Sequence, residues 1–322
     1  MIQVGFILSI VATVIATFPT TLVYQSPTGL FLENIAVRPC SKLLLTSALS
    51  PALHMLDPSS ANTTFDEVYS FPNASALFGI IEYQPDVYAV VTANAQSILQ
   101  THRVNPGSIA IWRVDFRLKT PIVTPIAGIP QSTLINGLSS VPGHPDLVLA
   151  ADSGLGAVYE ITMSTGAVRI AIQDAAMAPG APAPALGING LHIHGSALYF
   201  TNSQQGTFAR IPIAVQSKGV SKAGAVLVLS TVEPPGLPHR YDDFTFDADG
   251  RAWVTAHPGA LTLLYPLTNG TWAQENAAGD PEGSYAVFME PTSATFGRGV
   301  NKKILYVTTE GGQVVSVDAS GK

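Results

Sequence analysis

Residues 189–203 read NGLHIHGSALYFTNS. Asn189 and Gly190 open an apolar stretch, Gly195 and Ser196 turn the chain, and Ala197-Leu198-Tyr199-Phe200 forms a second apolar run ending in Thr201, Asn202 and Ser203. Short runs rich in β-branched and aromatic residues, bounded by Gly, Asn, Asp or Ser, read as paired strands. The pattern recurs as ENIAVRPCSKLLLTS from Glu33, FGIIEYQPDVYAVVTAN from Phe78, NGLSSVPGHPDLVLAADS from Asn136, DDFTFDADGRAWVTAH from Asp242 and TSATFGRGVNKKILYVTTE from Thr292, at spacings of 45 to 58 residues. Most copies continue into a third strand, as at Ile109–Arg113, Ala157–Ile161, Phe208–Pro212 and Val314–Asp318. Six copies of a three- or four-stranded unit predict an all-β fold, a six-bladed β-propeller, with residues 17–322 as a single domain. Radial repetition leaves only short, protected strand edges, and the rival parallel β-helix has much shorter repeats. A strand near Tyr24–Phe31 is expected to complete the last blade and close the ring.

The repeat also gathers chemistry. If the first strand of each copy lines the central channel, equivalent positions form a ring at its mouth: Glu33, Phe78, Asn136, Asn189, Asp242 and Thr292. Glu, Asn and Asp supply hard oxygen ligands suited to Ca²⁺, Mg²⁺ or Mn²⁺, so the ring can hold one divalent cation or act without any cofactor as a hydrogen-bonding pocket. His239 and Arg240 follow a Pro-rich loop (residues 233–238) and are expected at the same mouth, able to donate to a ligand oxygen. His192 and His194 share a strand face, which suits two metal ligands, but no third ligand is near in sequence and packing is the expected role. His257, at the end of a blade strand, reads equally as structure or site. The Ala- and Pro-rich stretch 175–186 is either a connector between blades or an apolar lid.

Composition sets the outer bounds. Apolar residues make up 47% and charged residues 12%, about half the usual charged share, so the chain can bury a large core and is not disordered. The net charge of −6 argues against nucleic acid, whose binding needs clustered Lys and Arg. Residues 1–16 are uncharged and mostly apolar, too short for a spanning helix, with Val14 and Ala16 small at a candidate cleavage site; this reads as a signal peptide of a secreted protein with no membrane span after cleavage. Three sequons, at Asn62, Asn73 and Asn269, agree with glycosylation in that compartment. Cys40 is the one cysteine, so no internal disulfide forms and stability must come from the core. No P-loop, dinucleotide fingerprint, zinc motif or nucleophile elbow is present.

The segments from Asn189-Gly190-Leu191 through Leu198-Tyr199-Phe200, and from Asp242 through Asp247-Ala248-Asp249-Gly250-Arg251-Ala252-Trp253-Val254, resemble later blades of the gluconolactonase and senescence-marker-protein superfamily of six-bladed propellers. The resemblance spans roughly residues 28 to 318. It implies that Glu33, Asn189 and Asp242 hold a divalent metal and that Asn136 contacts substrate. Two positions depart from that pattern: Asn34 and Asp243 stand where the family has Gly after its metal Glu and Asp. Either Asp242 or Asp243 can then be the ligand. The phrases Leu32-Glu33-Asn34-Ile35-Ala36-Val37-Arg38 and Ala151-Asp152-Ser153-Gly154-Leu155-Gly156-Ala157-Val158 are similar to a secreted fungal branch of the superfamily. That branch includes hetero-Diels–Alderases joining a tropolone-derived quinone methide to a sesquiterpene such as humulene.

Three functions follow, all with small apolar or lactone-like ligands. In a cyclase of secondary metabolism, Asn136, Asn189 and Asp242 hydrogen-bond the heterodiene oxygen, Phe78 and residues 175–186 give apolar surface, and Thr292, His239 and Arg240 touch substrate. In a metal-dependent lactonase, Glu33, Asn189 and Asp242 hold the ion, and Asp243 or a bound water starts attack on the carbonyl. In a binding propeller the same ring only holds a ligand. The cyclase is the favoured reading, with Asp242, Asp243 and Asn136 as the catalytic candidates.

Overall fold

The computed structural model describes residues 18–321, apart from residues 61–62, 96, 181–184, 218, 234–235, 237 and 284. The expected signal peptide and the sequon residue Asn62 lie outside the described residues. The chain forms six small antiparallel sheets arranged as a six-bladed propeller. Blade 1 runs through Leu32–Val37, Leu43–Ser47, Ala52–Leu56 and Phe65–Ser70; blade 2 through Ala76–Gln84, Val87–Ala93, Ala110–Asp115 and Ile122–Gly128. Blade 3 comprises Ile135–Ser140, Leu147–Asp152, Ala157–Thr162 and Ala167–Gln173. Blade 4 starts with Ile188–His194, Ala197–Asn202 and Thr207–Gln216, and both Gly219–Lys222 and Leu227–Thr231 pair with its third strand. Blade 5 is Arg240–Phe246, Ala252–His257, Ala260–Pro266 and Trp272–Gly279. Blade 6 joins Pro291–Phe296, Ile304–Thr309 and Gln313–Asp318 to Thr20–Gln25 from the other end of the chain. The closing strand was expected at residues 24–31; it is Thr20–Gln25, because residues 26–31, with Pro27 and with Gly29 at φ 64°, turn the chain into blade 1 instead of extending the strand.

Stability without a disulfide comes from the spaces between blades. Side chains alternate faces along a strand, so each blade packs on both neighbours. In blade 3, Val148 and Ala150 join the cluster shared with blade 2, while Leu149 and Ala151 join the cluster shared with blade 4. Six such apolar clusters fill the six interfaces. This explains why the second strands, such as Leu43–Ser47, Val87–Ala93 and Leu147–Asp152, read as nearly continuous apolar runs rather than alternating ones.

One local device sets the site. The inner strand of every blade slips register against its partner at the ring position: between Leu32 and Ile35, Leu77 and Ile80, Ile135 and Leu138, Ile188 and Leu191, Tyr241 and Phe244, and Pro291 and Ala294. A bulge re-aims the side chain it carries. Hydroxyls then stitch these bulges between blades. Thr46 donates to Phe78 O at 2.7 Å, Ser153 to Ile188 O at 2.6 Å, Thr255 to Thr292 O at 3.0 Å, and Thr201 to Asp242 O. Thr292 closes the circle by donating to Leu32 O at 2.7 Å. Its side chain therefore holds blade 6 to blade 1 and does not line the mouth cavity, contrary to its expected contact with substrate.

The residue after each ring position faces the neighbouring blade at close range. A Cβ on Gly79 would stand 2.3 Å from Asn136 O, and one on Gly137 2.7 Å from Asn189 O. At Gly190 the space is taken by the carboxylate of Asp243, whose Oδ1 is 2.2 Å from where a Cβ would be. The two departures from the family pattern answer one another: Asn34 Nδ2 donates to Asp243 Oδ2 at 3.1 Å, and Ser293 Oγ donates to the same oxygen at 2.7 Å. Asp243 is thus a buried tie among blades 1, 5 and 6, away from the mouth. The structure gives it no place as a mouth-facing catalytic carboxylate or metal ligand.

Candidate active site at the channel mouth

A cavity of about 310 Å³ opens at the ring, lined by Glu33, Phe78, Asn136, Asn189 and Asp242. Five of the six expected ring residues therefore converge, and between the adjacent aspartates it is Asp242 that faces the cavity. Arg240 and Glu310 add two charged side chains, joined by a 3.2 Å ion pair. The remaining lining is mostly apolar: Phe31, Leu134 and Leu186 from segments leading into inner strands, Ala48 after the second strand of blade 1, and Ile98 and Leu99 from the short helix Ile98–Thr101. Of the stretch 175–186, Leu186 lines the cavity while Met177 packs between blades 3 and 4; residues 181–184 lie outside the described set. His239 is not among the lining residues; its ring turns back onto Gly236 O at 3.1 Å. His192 lies edge-on to Phe244 and 3.6 Å from Asp243, while His194 stacks on Phe246. The two do not converge on a common ligand and serve packing, as expected.

The hydrogen bonds assign directions. Asn189 Nδ2 donates to Ser203 Oγ at 2.9 Å, which leaves Asn189 Oδ1 shielded and, among the described residues, unpartnered. His257 is fully buried and donates from Nε2 to Asp242 Oδ2 at 3.1 Å and from Nδ1 to Glu290 Oε2. An imidazole that donates from both nitrogens is the cation. Burial and Arg240 oppose that charge, but the bonds to Asp242 and Glu290 outweigh them and His257 is held above the ordinary imidazole range. Glu290 also accepts from Tyr285 at 2.9 Å; burial raises its pKa, yet the contact with His257 carries it below the usual carboxylate value. Glu33 is held well above that value, by burial first and then by the charges of Asp242, Glu310 and Asp243. Burial likewise lifts Glu310, against the pull of His257 and Arg240.

These shifts give a pH dependence. Glu33, Glu310 and His257 all bind protons more tightly in the folded chain, so their stabilising contribution is complete below the unfolded pKa and fades as pH rises through the folded one. Glu290 acts in the opposite sense, and its contribution is lost as pH falls. Scanning calorimetry is expected to show the melting temperature falling as pH rises from about 6.5 towards 9, with the optimum on the mildly acidic side. A melting temperature that climbs over that interval contradicts the imidazolium assignment.

The residues present fit a divalent cation. Among the described residues Asn189 Oδ1 has no partner, and the crowded carboxylates of Glu33 and Asp242 in the same cavity favour positive charge. A second oxygen- and nitrogen-bearing group, His257, Glu290 and Glu310, has ligand atoms within 4.8 Å of one another, although each of these is already engaged by ion pairs. His257, Glu290 and Glu310 were not placed in the site by repeat position. His102 and the 98–101 helix were missed as well; the one signal for them is the 58-residue spacing between Phe78 and Asn136, the longest in the repeat.

No family model matches the chain. In sequence it is 26% identical over 314 residues to a Phoma sp protein described as "Putative hetero-Diels-Alderase", covering 90% of this chain and 86% of that one. A Sarocladium schorii protein described in the same words is 27% identical over 323 residues, covering 90% and 78%. Among solved structures, an Agrobacterium tumefaciens calcium-binding protein, regucalcin, superposes with a TM-score of 0.62 at 17% identity, covering 94% of each chain. A "putative gluconolactonase" superposes with a TM-score of 0.60 at 15% identity, covering 94% of this chain and 92% of its own. Among the described residues no helix is long and apolar enough to cross a membrane. The chain is a six-bladed propeller with the gluconolactonase and regucalcin fold, and along nine-tenths of its length it is similar in sequence to chains named as hetero-Diels-Alderases.

Proposed function

We propose that the chain is a hetero-Diels–Alderase, which holds a heterodiene of the quinone-methide type against an apolar alkene such as a terpene. One observation carries this reading: the mouth cavity pairs a cluster of polar ring side chains with an apolar lining from Phe31, Phe78, Ile98, Leu99, Leu134 and Leu186. A sugar lactone has no use for that apolar surface, whereas a hydrocarbon partner needs it. The names of the sequence relatives support the same reaction class. In the addition a carbon–oxygen and a carbon–carbon bond form as π electrons of diene and alkene redistribute; no atom leaves and no oxidant is consumed. Orientation of two partners supplies most of the acceleration, and donors aimed at the heterodiene oxygen stabilise the charge that develops there. Asn189 and Asp242 present acceptor oxygens, because the Asn189 amide nitrogen is committed to Ser203 and Asp242 accepts from His257. Donation to the heterodiene oxygen therefore falls to Asn136 and Arg240, while Asn189 and Asp242 accept from substrate hydroxyls.

The unpartnered Asn189 Oδ1 favours a second reading, a metal-dependent lactonase with Glu33, Asn189 and Asp242 as ligands. A divalent cation held there supplies Lewis-acid polarisation of a carbonyl oxygen. Residues 1–16 and the exposed acceptors Asn73 and Asn269 support a secreted, glycosylated protein under either reading. The test is incubation of a quinone-methide precursor with humulene, with and without the desalted protein. Faster adduct formation with an altered product ratio is expected. An unchanged rate and ratio sinks the cyclase, and lactone hydrolysis that needs added Ca²⁺ and is lost in Glu33→Ala favours the lactonase.

A further inference from the structure

A line of side chains leads away from the mouth cavity. Asp242 lines the cavity, His257 donates to it from Nε2 at 3.1 Å, and the other ring nitrogen of His257 is held by Glu290 Oε2. The imidazole between these carboxylates is fully buried, and Glu290 is not among the residues lining the cavity. Glu290 can therefore act on a ligand only through His257 and Asp242. Its backbone is unusual for a residue that carries a side chain. Its φ of 57° lies in the left-handed region, and it precedes Pro291, whose ring narrows the conformations open to it. Backbone hydrogen bonds pin it there: Glu290 N–H donates to Pro258 O at 3.1 Å, and Glu310 N–H donates to Glu290 O at 2.8 Å. Glycine would meet the backbone requirement without strain, so what a glutamate adds at this position is its carboxylate.

We infer that Glu290 is a positioning residue of the mouth site: it fixes the His257 ring so that Nε2 donates to Asp242, and thereby sets which carboxylate oxygen Asp242 turns to a ligand. An imidazole turned by half a rotation presents carbon where nitrogen stood, and the shape of the ring alone does not forbid it. A carboxylate that accepts from Nδ1 excludes that rotation and aims the opposite nitrogen. With Oδ2 tied to His257, Asp242 keeps Oδ1 for a hydroxyl of the ligand. Tyr285 Oη donates to Glu290 Oε1 at 2.9 Å and steadies the carboxylate from its far side. Glu310 does not share this role, because it lines the cavity itself and its carboxylate is paired with Arg240. The part that an aimed Asp242 plays in turnover rests on the cyclase reading above; the aiming itself does not.

The experiment uses chelator-treated full-length protein carrying histidine with an NMR-visible nitrogen isotope, at neutral pH. The ring nitrogen signals report which of them bears a proton and how strongly it is hydrogen-bonded. Glu290→Gly removes the carboxylate and relieves the backbone, so the turn is not what it disturbs. Glu290→Gln keeps an oxygen that can accept from Nδ1. Wild type is expected to carry a proton on His257 Nε2. That signal is expected to stay in place in Glu290→Gln and to shift in Glu290→Gly, although Asp242 is untouched. In the cycloaddition assay of the preceding subsection, Glu290→Gly is expected to lower kcat by about tenfold, the loss of one hydrogen bond, with KM within about twofold. Glu290→Gln is expected to recover most of that loss. An unprotonated Nε2 in wild type overturns the inference. So does an Nε2 signal unmoved in Glu290→Gly, or a moved signal with wild-type kcat. No acceleration by wild type, with the Nε2 shift present in Glu290→Gly, removes the cyclase and leaves the aiming of Asp242 standing. Acceleration with no such shift does the reverse.

Discussion

Ala48→Phe is expected to return the cycloaddition to its rate in free solution, a loss of about 10²-fold or more from the wild-type rate. Ala48 follows the second strand of blade 1, is 3% exposed, and lines the mouth cavity in the same apolar cluster as Phe78, Ile98 and Leu134. A phenyl ring there occupies the space between the ring residues and the apolar lining. One partner can still enter, but two cannot be held together, and proximity is the main source of acceleration in the proposed reaction. Overpacking itself costs about 1–3 kcal/mol, well within what six filled blade interfaces tolerate. Initial rates beside a melting curve check this. A folded variant with wild-type rates places the reaction elsewhere.

His257→Ala is expected to lower stability by about 3–5 kcal/mol, read from the urea midpoint at neutral pH. The ring is buried and both nitrogens are bound, one to Asp242 and one to Glu290. Removing it leaves those carboxylates facing a vacated space, with Glu310 close by and Arg240 as the remaining counter-charge among the described residues. Breaking a buried pair costs far more than the pair contributed, because the remaining charge is stranded. His257→Gln should be milder, since an amide keeps one donor. The decline of melting temperature above about pH 6.5 should flatten in both variants, because the group that titrates there is gone. A cost for His257→Ala within about 1 kcal/mol of zero, the range of an ordinary surface substitution, contradicts the imidazolium clamp.

The repeat was legible because it is local. Each copy carries its own polar opener, turn and apolar runs, and the spacing alone brought Glu33, Phe78, Asn136, Asn189 and Asp242 to one mouth. What that pattern could not show was direction. Ring positions sit on bulges, and a bulge decides which of two adjacent residues faces the channel; Asp242 and Asp243 look alike in sequence and part at that step. Asn34 and Asp243 read as two separate departures from a family pattern, yet they are one hydrogen bond across 209 residues of chain. Thr292 shares the repeat position but spends its hydroxyl on Leu32 O, and His239 shares the loop of Arg240 but folds back on Gly236. The residues missed altogether come from outside the repeat unit. Ile98, Leu99 and His102 belong to the insertion that lengthens blade 2, and Glu290 and Glu310 lie in turns flanking the strands of blade 6. Periodicity is silent about such segments, and only the surplus length in blade 2 hinted at one of them.

On the proposed cyclase reading, two partners meet in the mouth cavity and react there in one orientation. Chiral chromatography of the adduct from a quinone-methide precursor and humulene tests it most directly, using chelator-treated wild-type protein beside Ala48→Phe. The expected result is one enantiomer in clear excess with wild type and a racemate with the variant. Racemic adduct from the wild-type protein, formed at the solution rate, contradicts the claim.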